Sequence, residues 1–209
     1  MNKTADTVLV VDDDDGVRQS LAFLLRSARL PVETYASATE LIAKLPADHA
    51  GCIVADVRMP GMSGIDLLRQ VRSLPQPVPV IVITGHRDVP LAVEAMKYGA
   101  ADFLEKPFDD DALLNAVHAA LDTHRRTERQ DNERADILGK LASLTTREQQ
   151  VLDGLVAGRA NKIIAFDLSI SPRTVEIYRA NVMTKMQAQS LSDLVRMALV
   201  AGLLDRPAS

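Results

Sequence analysis

Five short apolar runs, each closed by polar residues, punctuate the first 126 residues: TVLVV (7–11), VETYA (32–36), CIVA (52–55), VPVIVIT (78–84) and ADFLE (101–105). Most are continuously apolar, as strands buried on both faces are. Helix-period segments alternate with them, near 16–29, 37–45, 64–73, 88–98 and 109–125. Ser37 with Glu40 fits a capping box opening the second of these. Gly99 can stop the fourth. Strand–helix alternation at this density leaves few solutions. It predicts an α/β domain: a doubly wound five-stranded parallel sheet with right-handed crossovers and helices on both faces.

The rest of the chain follows another pattern. Residues 127–140, TERQDNERADILGK, are highly charged and read as a linker, helical at either end. It separates a first domain at 1–126 from a second at 141–209. From residue 141 the periodicity is purely helical, over about 145–157, 160–168, 172–187 and 190–202. The breaks carry Gly158, then Ser169–Pro172, then Gln187–Ser190. This predicts an all-α, four-helix second domain.

Composition removes whole classes of function. At 209 residues, 47% apolar and 25% charged, the chain suits one large or two small globular domains. No window of about 18 uncharged apolar residues occurs, so no membrane span is expected. Charges precede the first apolar run without a cleavage signature, so no secretory leader is expected and the location reads as cytoplasmic. Cys52 is the single cysteine and lies in an apolar run. It reads as a small core residue in a reducing compartment. His49, His86, His118 and His124 are scattered, without zinc-ligand spacing.

The net charge of −4 hides a split. Residues 1–126 carry 13 Lys and Arg against 18 Asp and Glu, whereas 127–209 carry 11 against 10. Residues 159–185 carry 5 basic and 2 acidic side chains. That surplus argues for nucleic acid only together with a motif.

In a parallel sheet, ligands bind where strand carboxyl ends meet at a topological switch point. Here the first strand ends in Asp12 and Asp13, the third in Asp56 and the fourth in Thr84, and the fifth is followed by Lys106 and Pro107. Clustered carboxylates repel one another unless a cation or proton intervenes. Oxygen ligands of this kind suit magnesium. With the charge screened, Asp56 could attack a phosphoryl donor and form an aspartyl phosphate. Lys106 would pair with the phosphoryl charge and Thr84 would donate a hydrogen bond to it. The run of four aspartates then divides. Asp12 and Asp13 hold the metal, Asp15 serves as N-cap or first-turn residue, and Asp14 is a loop residue.

The stretches VVDDDDGVR, IVADVRMPGMSGID, VIVITGH and ADFLEKPF resemble the receiver domain of bacterial two-component response regulators, over roughly residues 5–126. The resemblance implies a flavodoxin/CheY-like fold, with Asp56 accepting phosphate from a phosphohistidine of a sensor histidine kinase. It implies magnesium held by Asp12, Asp13, Asp56 and the backbone carbonyl of Arg58. It makes Phe103 an aromatic switch residue and the Lys106–Pro107 bond cis. Aspartate-nucleophile phosphatases are the rival reading, since they too use Asp, Thr or Ser, and Lys. They typically carry a second Asp two residues after the nucleophile, as general acid and base. Here that position is Arg58, so the chain reads as a non-enzyme with slow self-dephosphorylation at most.

In the second domain, Val151, Leu152, Leu155, Ile163, Ile164, Leu168, Val175, Ile177, Val182 and Met186 recur near helical spacing and suggest a small core. The tight turn SISPRT, with Ser171 as cap and Pro172 in the first turn, suggests a helix-turn-helix. LTTREQQVL and NKIIAFDLSISPRTVEIYRANVMTKM resemble the LuxR/NarL/FixJ-type DNA-binding domain, over about 141–203. Tyr178 stands where that family commonly has His. By this resemblance Asn161, Lys162, Arg173, Thr174, Arg179 and Lys185 meet phosphates, while Glu176, Ile177 and Ala180 face base edges. Tyr178 also counts among the expected DNA contacts.

Together the resemblances imply a phosphorylation-activated regulator that becomes a homodimer through its fourth helix and fifth strand, roughly 89–105. It would bind promoter DNA and act with RNA polymerase. GHRDVPLAVEAMKYGAADFLEKPF and ISPRTVEIYRANVMTKM are closest to the FixJ-type members, activators of nitrogen-fixation or microaerobic genes. Their partner is an oxygen-sensing haem kinase.

Overall fold

A computed structural model describes residues 6–46, 49–85 and 89–203. The chain divides into two compact units, Met1–Thr127 and Glu128–Ser209. In the first, strands β1 (Thr7–Val11), β2 (Val32–Tyr35), β3 (Gly51–Asp56), β4 (Val80–Thr84) and β5 (Asp102–Glu105) alternate with helices. These are α1 (Asp15–Ser27), α2 (Ala38–Lys44), α3 (Gly64–Arg72), α4 (Val89–Lys97) and α5 (Asp110–Ala142). The sheet is parallel throughout, in the order β2-β1-β3-β4-β5. This is the doubly wound architecture that the alternation predicts. The expected helix start at residue 88 lies outside the described residues, as does His86.

Strand pleating sorts the apolar runs onto two faces, because successive side chains point opposite ways. Val8, Val10, Cys52, Val54, Ile81 and Ile83 pack with Leu25 of α1 and Leu113, Val117 and Leu121 of α5. Leu9, Val11, Ile53, Ala55, Val80 and Val82 pack with Leu41 of α2, Leu67, Leu68 and Val71 of α3, and Ala95 of α4. Every residue of β3 and β4 is buried. The edge strand β2 exposes Glu33 and Thr34 and the other edge strand, β5, exposes Glu105, which explains why VETYA and ADFLE mix polar residues into their runs. Cys52 is a core residue as expected, and burial pushes its thiol up to about 12.

Local signals fix the helix ends. Ser37 caps α2 by accepting the Glu40 N–H at 3.2 Å, but the Glu40 carboxylate accepts from Ala36 rather than from Ser37, so the box is not reciprocal. Gly99 has φ +81° just beyond α4, a left-handed conformation that costs glycine little. One expectation fails at α1. Its N-cap is Asp14, whose Oδ1 accepts the Val17 N–H at 3.1 Å. Asp14 is therefore a structural cap and not a plain loop residue. Asp15 is the first helical residue, paired with Arg18 at 2.8 Å and accepting from Gln19 at 2.7 Å.

Residues 127–140 are helical throughout, not only at their ends, because α5 runs unbroken through them. Ile137 and Leu141 at its end are already core residues of the second unit. They pack with Val151, Leu152 and Leu155 of α6 (Thr146–Val156), Ile164 of α7 (Asn161–Asp167), Val175, Val182 and Met186 of α8 (Pro172–Met186), and Leu194 and Met197 of α9 (Leu191–Val200). Two expected core residues are absent from this set. Ile163 is 53% exposed and Ile177 is 56% exposed. No helix among the described residues is long and apolar enough to cross a membrane.

The N-cap assignment is measurable. Asp14→Ala should lose about 0.5–2 kcal/mol of stability in urea unfolding, while Asp15→Ala, which leaves the cap intact, should lose less.

Candidate functional site

Strand register builds the first site. Val11 lies opposite Ala55, so the next residues, Asp12 and Asp56, emerge side by side from the sheet. Thr84 pairs with Glu105, and its carbonyl accepts the Lys106 N–H at 2.7 Å. The Lys106–Pro107 bond is cis. Lys106 Nζ then reaches both acids, donating to Asp12 Oδ2 at 2.9 Å and to Asp56 Oδ1 at 2.8 Å. Burial lowers the affinity of this amine for its proton, but hydrogen bonds and attraction from Asp56 and Asp12 outweigh that, and its pKa is raised.

The remaining acceptor atoms are held by backbone. Asp12 Oδ1 accepts the Asp14 N–H at 2.9 Å, and Asp56 Oδ2 accepts the Arg58 N–H at 2.6 Å. Arg18 donates from Nη1 to the Asp12 carbonyl at 2.7 Å and from Nη2 to Asp15, pinning the strand end to the helix start. Gly64 sets the depth of α3. A Cβ there would lie 2.3 Å from the Asp56 carbonyl oxygen, so only glycine allows this approach. Sequence reasoning missed Arg18; its spacing of three from a first-turn acid was the available signal.

Thr84 is 1% exposed, and its Oγ1 has no hydrogen-bond partner among the described residues. An unpaired buried hydroxyl is unusual and costs about 1–3 kcal/mol. Phe103 is half-buried against the core face formed by α2, α3 and α4.

The expected metal set is only partly assembled. Asp12, 3% exposed, and Asp56 stand together, whereas Asp13 is exposed. No group of three His, Cys, Asp or Glu among the described residues is close enough to hold a metal. Lys106 shares its single ammonium between Asp12 and Asp56, and Asp13 takes no part in that pairing. The donors still fit a hard cation. Two carboxylates against one ammonium leave a formal surplus of one negative charge, and every ligand is oxygen. The residue two after Asp56 is Arg58, with no carboxylate to activate water, as the sequence indicated.

The second site is a helix face. Along α8, Val175, Val182 and Met186 are buried, and Tyr178 and Met183 pack partly against the same core. The opposite face exposes Arg173, Glu176, Ile177, Ala180, Asn181 and Thr184. Ser171 caps the helix, accepting the Thr174 N–H at 3.1 Å, and its hydroxyl also bonds Thr174 Oγ1 at 2.8 Å. Lys162 is exposed on α7; Asn161, Thr174 and Arg179 are half-buried. Asn181 was missed by sequence reasoning, although it lies one turn beyond Ile177 on the same face.

Lys185 departs from its expected role as a phosphate contact. Its Nζ donates to Glu148 Oε2 at 2.6 Å and to the Ser143 carbonyl at 3.2 Å. Glu148 is a buried acid completing a capping box with Thr145 at the start of α6. A buried carboxylate needs a cation, and Lys185 is the one that reaches it. Lys185 is thus a staple between α6 and α8. The Lys185 hydrogen bond, followed by the Thr145 N–H, holds the Glu148 carboxyl at about 2, well below its usual 4.5.

Comparison with known proteins agrees with this geometry in both halves. Residues 8–118 match the pattern of the response regulator receiver domain, and residues 142–198 match that of bacterial regulatory proteins of the luxR family. The transcriptional regulatory protein FixJ of Azorhizobium caulinodans is 59% identical over 197 residues, covering 94% of this chain and 93% of that protein. The solved response regulator StyR superposes with a TM-score of 0.85 at 41% identity, covering 94% and 99% of the two chains. Full-length FixJ from B. japonicum gives a TM-score of 0.60 at 50% identity, covering 96% and 99%.

Two outcomes follow. Thr84→Val removes a buried hydroxyl that has no partner among the described residues, so thermal stability should hold or rise while labelling by a phosphoryl donor falls. The Glu148 carboxyl is depressed in the fold, so its contribution is complete above about pH 4.5 and lost as pH falls toward about 2. Glu148→Gln should be less stable than the parent at pH 7, and the gap should close across that window in urea melts followed by circular dichroism.

Proposed function

The chain belongs to the response regulators that join a receiver domain to a LuxR-family DNA-binding domain, and on that premise we propose the following course of events. Asp56 takes a phosphoryl group from a sensor histidine kinase, the chain pairs into a homodimer, and the dimer binds promoter DNA. The family is one of phosphorylation-dependent transcriptional regulators rather than enzymes. The observation that carries the reading is the Lys106 bridge between Asp12 and Asp56, beside the unpaired Thr84 hydroxyl.

A carboxylate oxygen of Asp56 forms the new P–O bond as the P–N bond of a donor phosphohistidine breaks and the imidazole leaves. Lys106, already paired with Asp56, is placed to follow the charge onto the phosphoryl oxygens. Thr84 supplies the hydroxyl that donates to one of them. Magnesium would be held by Asp12, Asp13, Asp56 and the Arg58 carbonyl. When bound it screens the repulsion between nucleophile and donor. For that, the exposed Asp13 side chain must join the two buried acids.

Drawing Thr84 toward a phosphoryl group empties space beside β4, and Phe103 is the half-buried ring on the neighbouring strand that can rotate into it. Val93 and Met96 of α4, with Tyr98 just beyond its end, are exposed, an apolar set suited to a two-fold interface. Arg69 of α3 holds that helix in place, donating to Glu94 at 2.8 Å and to the Tyr98 hydroxyl at 2.6 Å. In the second unit, the exposed face of α8 enters the major groove, with Lys162 and Arg173 on phosphates. The promoter-bound dimer then meets RNA polymerase. The FixJ relatives favour activation of nitrogen-fixation or microaerobic genes, with an oxygen-sensing haem kinase upstream, in the cytoplasm.

Acetyl phosphate with magnesium should convert the chain from monomer to dimer in sedimentation velocity. Asp56→Asn, or chelation of the metal, should abolish both the label and the shift. A monomer under all conditions rules out the dimer step; labelling of Asp56→Asn removes Asp56 from the role.

A further inference from the structure

The exposed face of α8 is chemically odd for a helix that reads DNA. Its first two turns present Glu176, Ile177 and Ala180, with Arg173 at the N-terminal edge. None of the three is a hydrogen-bond donor through its side chain. Guanine, the commonest target of specific side chains, offers only acceptors, N7 and O6, in the major groove. Glu176, Ile177 and Ala180 therefore cannot read guanine directly; on this face the side-chain donors are Arg173 at its N-terminal edge and Asn181 and Thr184 beyond Ala180. Ile177 is 56% exposed although a β-branched apolar side chain gains by leaving water. The major groove contains one apolar feature, the C5-methyl group of thymine.

We propose that α8 selects its site by apolar contact of Ile177 and Ala180 with thymine methyl groups, while the Glu176 carboxylate accepts the N4 amino hydrogen of a neighbouring cytosine. The inference rests on the reading of α8 as the helix that enters the major groove, and it names what that helix recognises there. Spacing is consistent with adjacent bases. From Glu176 to Ala180 the helix rises about 6 Å, close to two base steps of about 3.4 Å each. The carboxylate also works by exclusion. Facing the acceptor edge of guanine or the O4 of thymine, it would be repelled and unpaired. Arg173 and Lys162, both exposed, are left to hold the backbone on either side.

The experiment uses the full chain, treated with acetyl phosphate and magnesium, and a pool of randomised DNA duplexes from which bound sequences are recovered. The recovered site is then resynthesised with deoxyuridine replacing thymidine one position at a time. That exchange deletes a methyl group and leaves base pairing intact. Affinity should fall about fourfold per contacted methyl, at one to three positions within each half-site. Ile177→Ala, at an exposed position, should erase most of that difference between thymidine and deoxyuridine. Glu176→Ala should relax the requirement for cytosine at the adjoining pair. Equal affinity for every deoxyuridine-substituted site would overturn the proposal alone, as would undiminished discrimination by Ile177→Ala. Absence of salt-sensitive binding to any duplex would overturn the DNA-reading role of α8 and this proposal with it.

Discussion

One ammonium group holds the receiver half together at its chemical end. Parallel strands bring Asp12 and Asp56 side by side at the edge of a buried sheet, where two carboxylates without a counter-charge would repel each other strongly. Lys106 answers both at hydrogen-bonding distance, and it can do so because its own backbone is tied to Thr84. The same side chain ties the ends of β1 and β3 to the segment after β5. The balance keeps one negative charge in excess, which suits a cation.

The helical half solves a smaller version of the same problem. Glu148 is needed at the start of α6, where its carboxylate satisfies the Thr145 N–H, and this places an acid against the core. Lys185 crosses from α8 to neutralise it. That cross-link fixes the back of α8 through polar contacts while Val175, Val182 and Met186 fix it through apolar ones. With its inner face held in this way, the outer face of the helix is free to carry side chains that serve no packing purpose, Ile177 foremost among them.

Much of this was legible in the sequence because the signals are local or periodic. Continuous apolar runs marked the two-sided strands β1, β3 and β4, and polar residues at their ends marked the site. Cap residues such as Ser37 and Ser171 act within one turn. What escaped was set by partners far along the chain. Asp14, not Asp15, is the cap of α1, a one-residue matter decided by backbone angles at the strand exit. Ile163 and Ile177 look like core residues by spacing, but both side chains lie outside the buried cluster, at 53% and 56% exposure. The linker reading of 127–140 failed in conformation because charged side chains at helical spacing tolerate a solvated helix, and Ile137 with Leu141 anchors its end.

The sequence by itself determined the alternation of strands and helices, the order of chemical groups along the chain, and the residue types able to accept a phosphoryl group, because these depend on periodicity and on side-chain chemistry. Only the tertiary structure decided which of those groups meet. It joined Lys106 to Asp12 across 94 positions and to Asp56 across 50, left Asp13 outside, buried the Thr84 hydroxyl without a partner among the described residues, and directed Lys185 to Glu148 instead of to solvent. The physical reason is that charge pairing and burial depend on distance in space, which strand register and helix packing set and which no local pattern encodes.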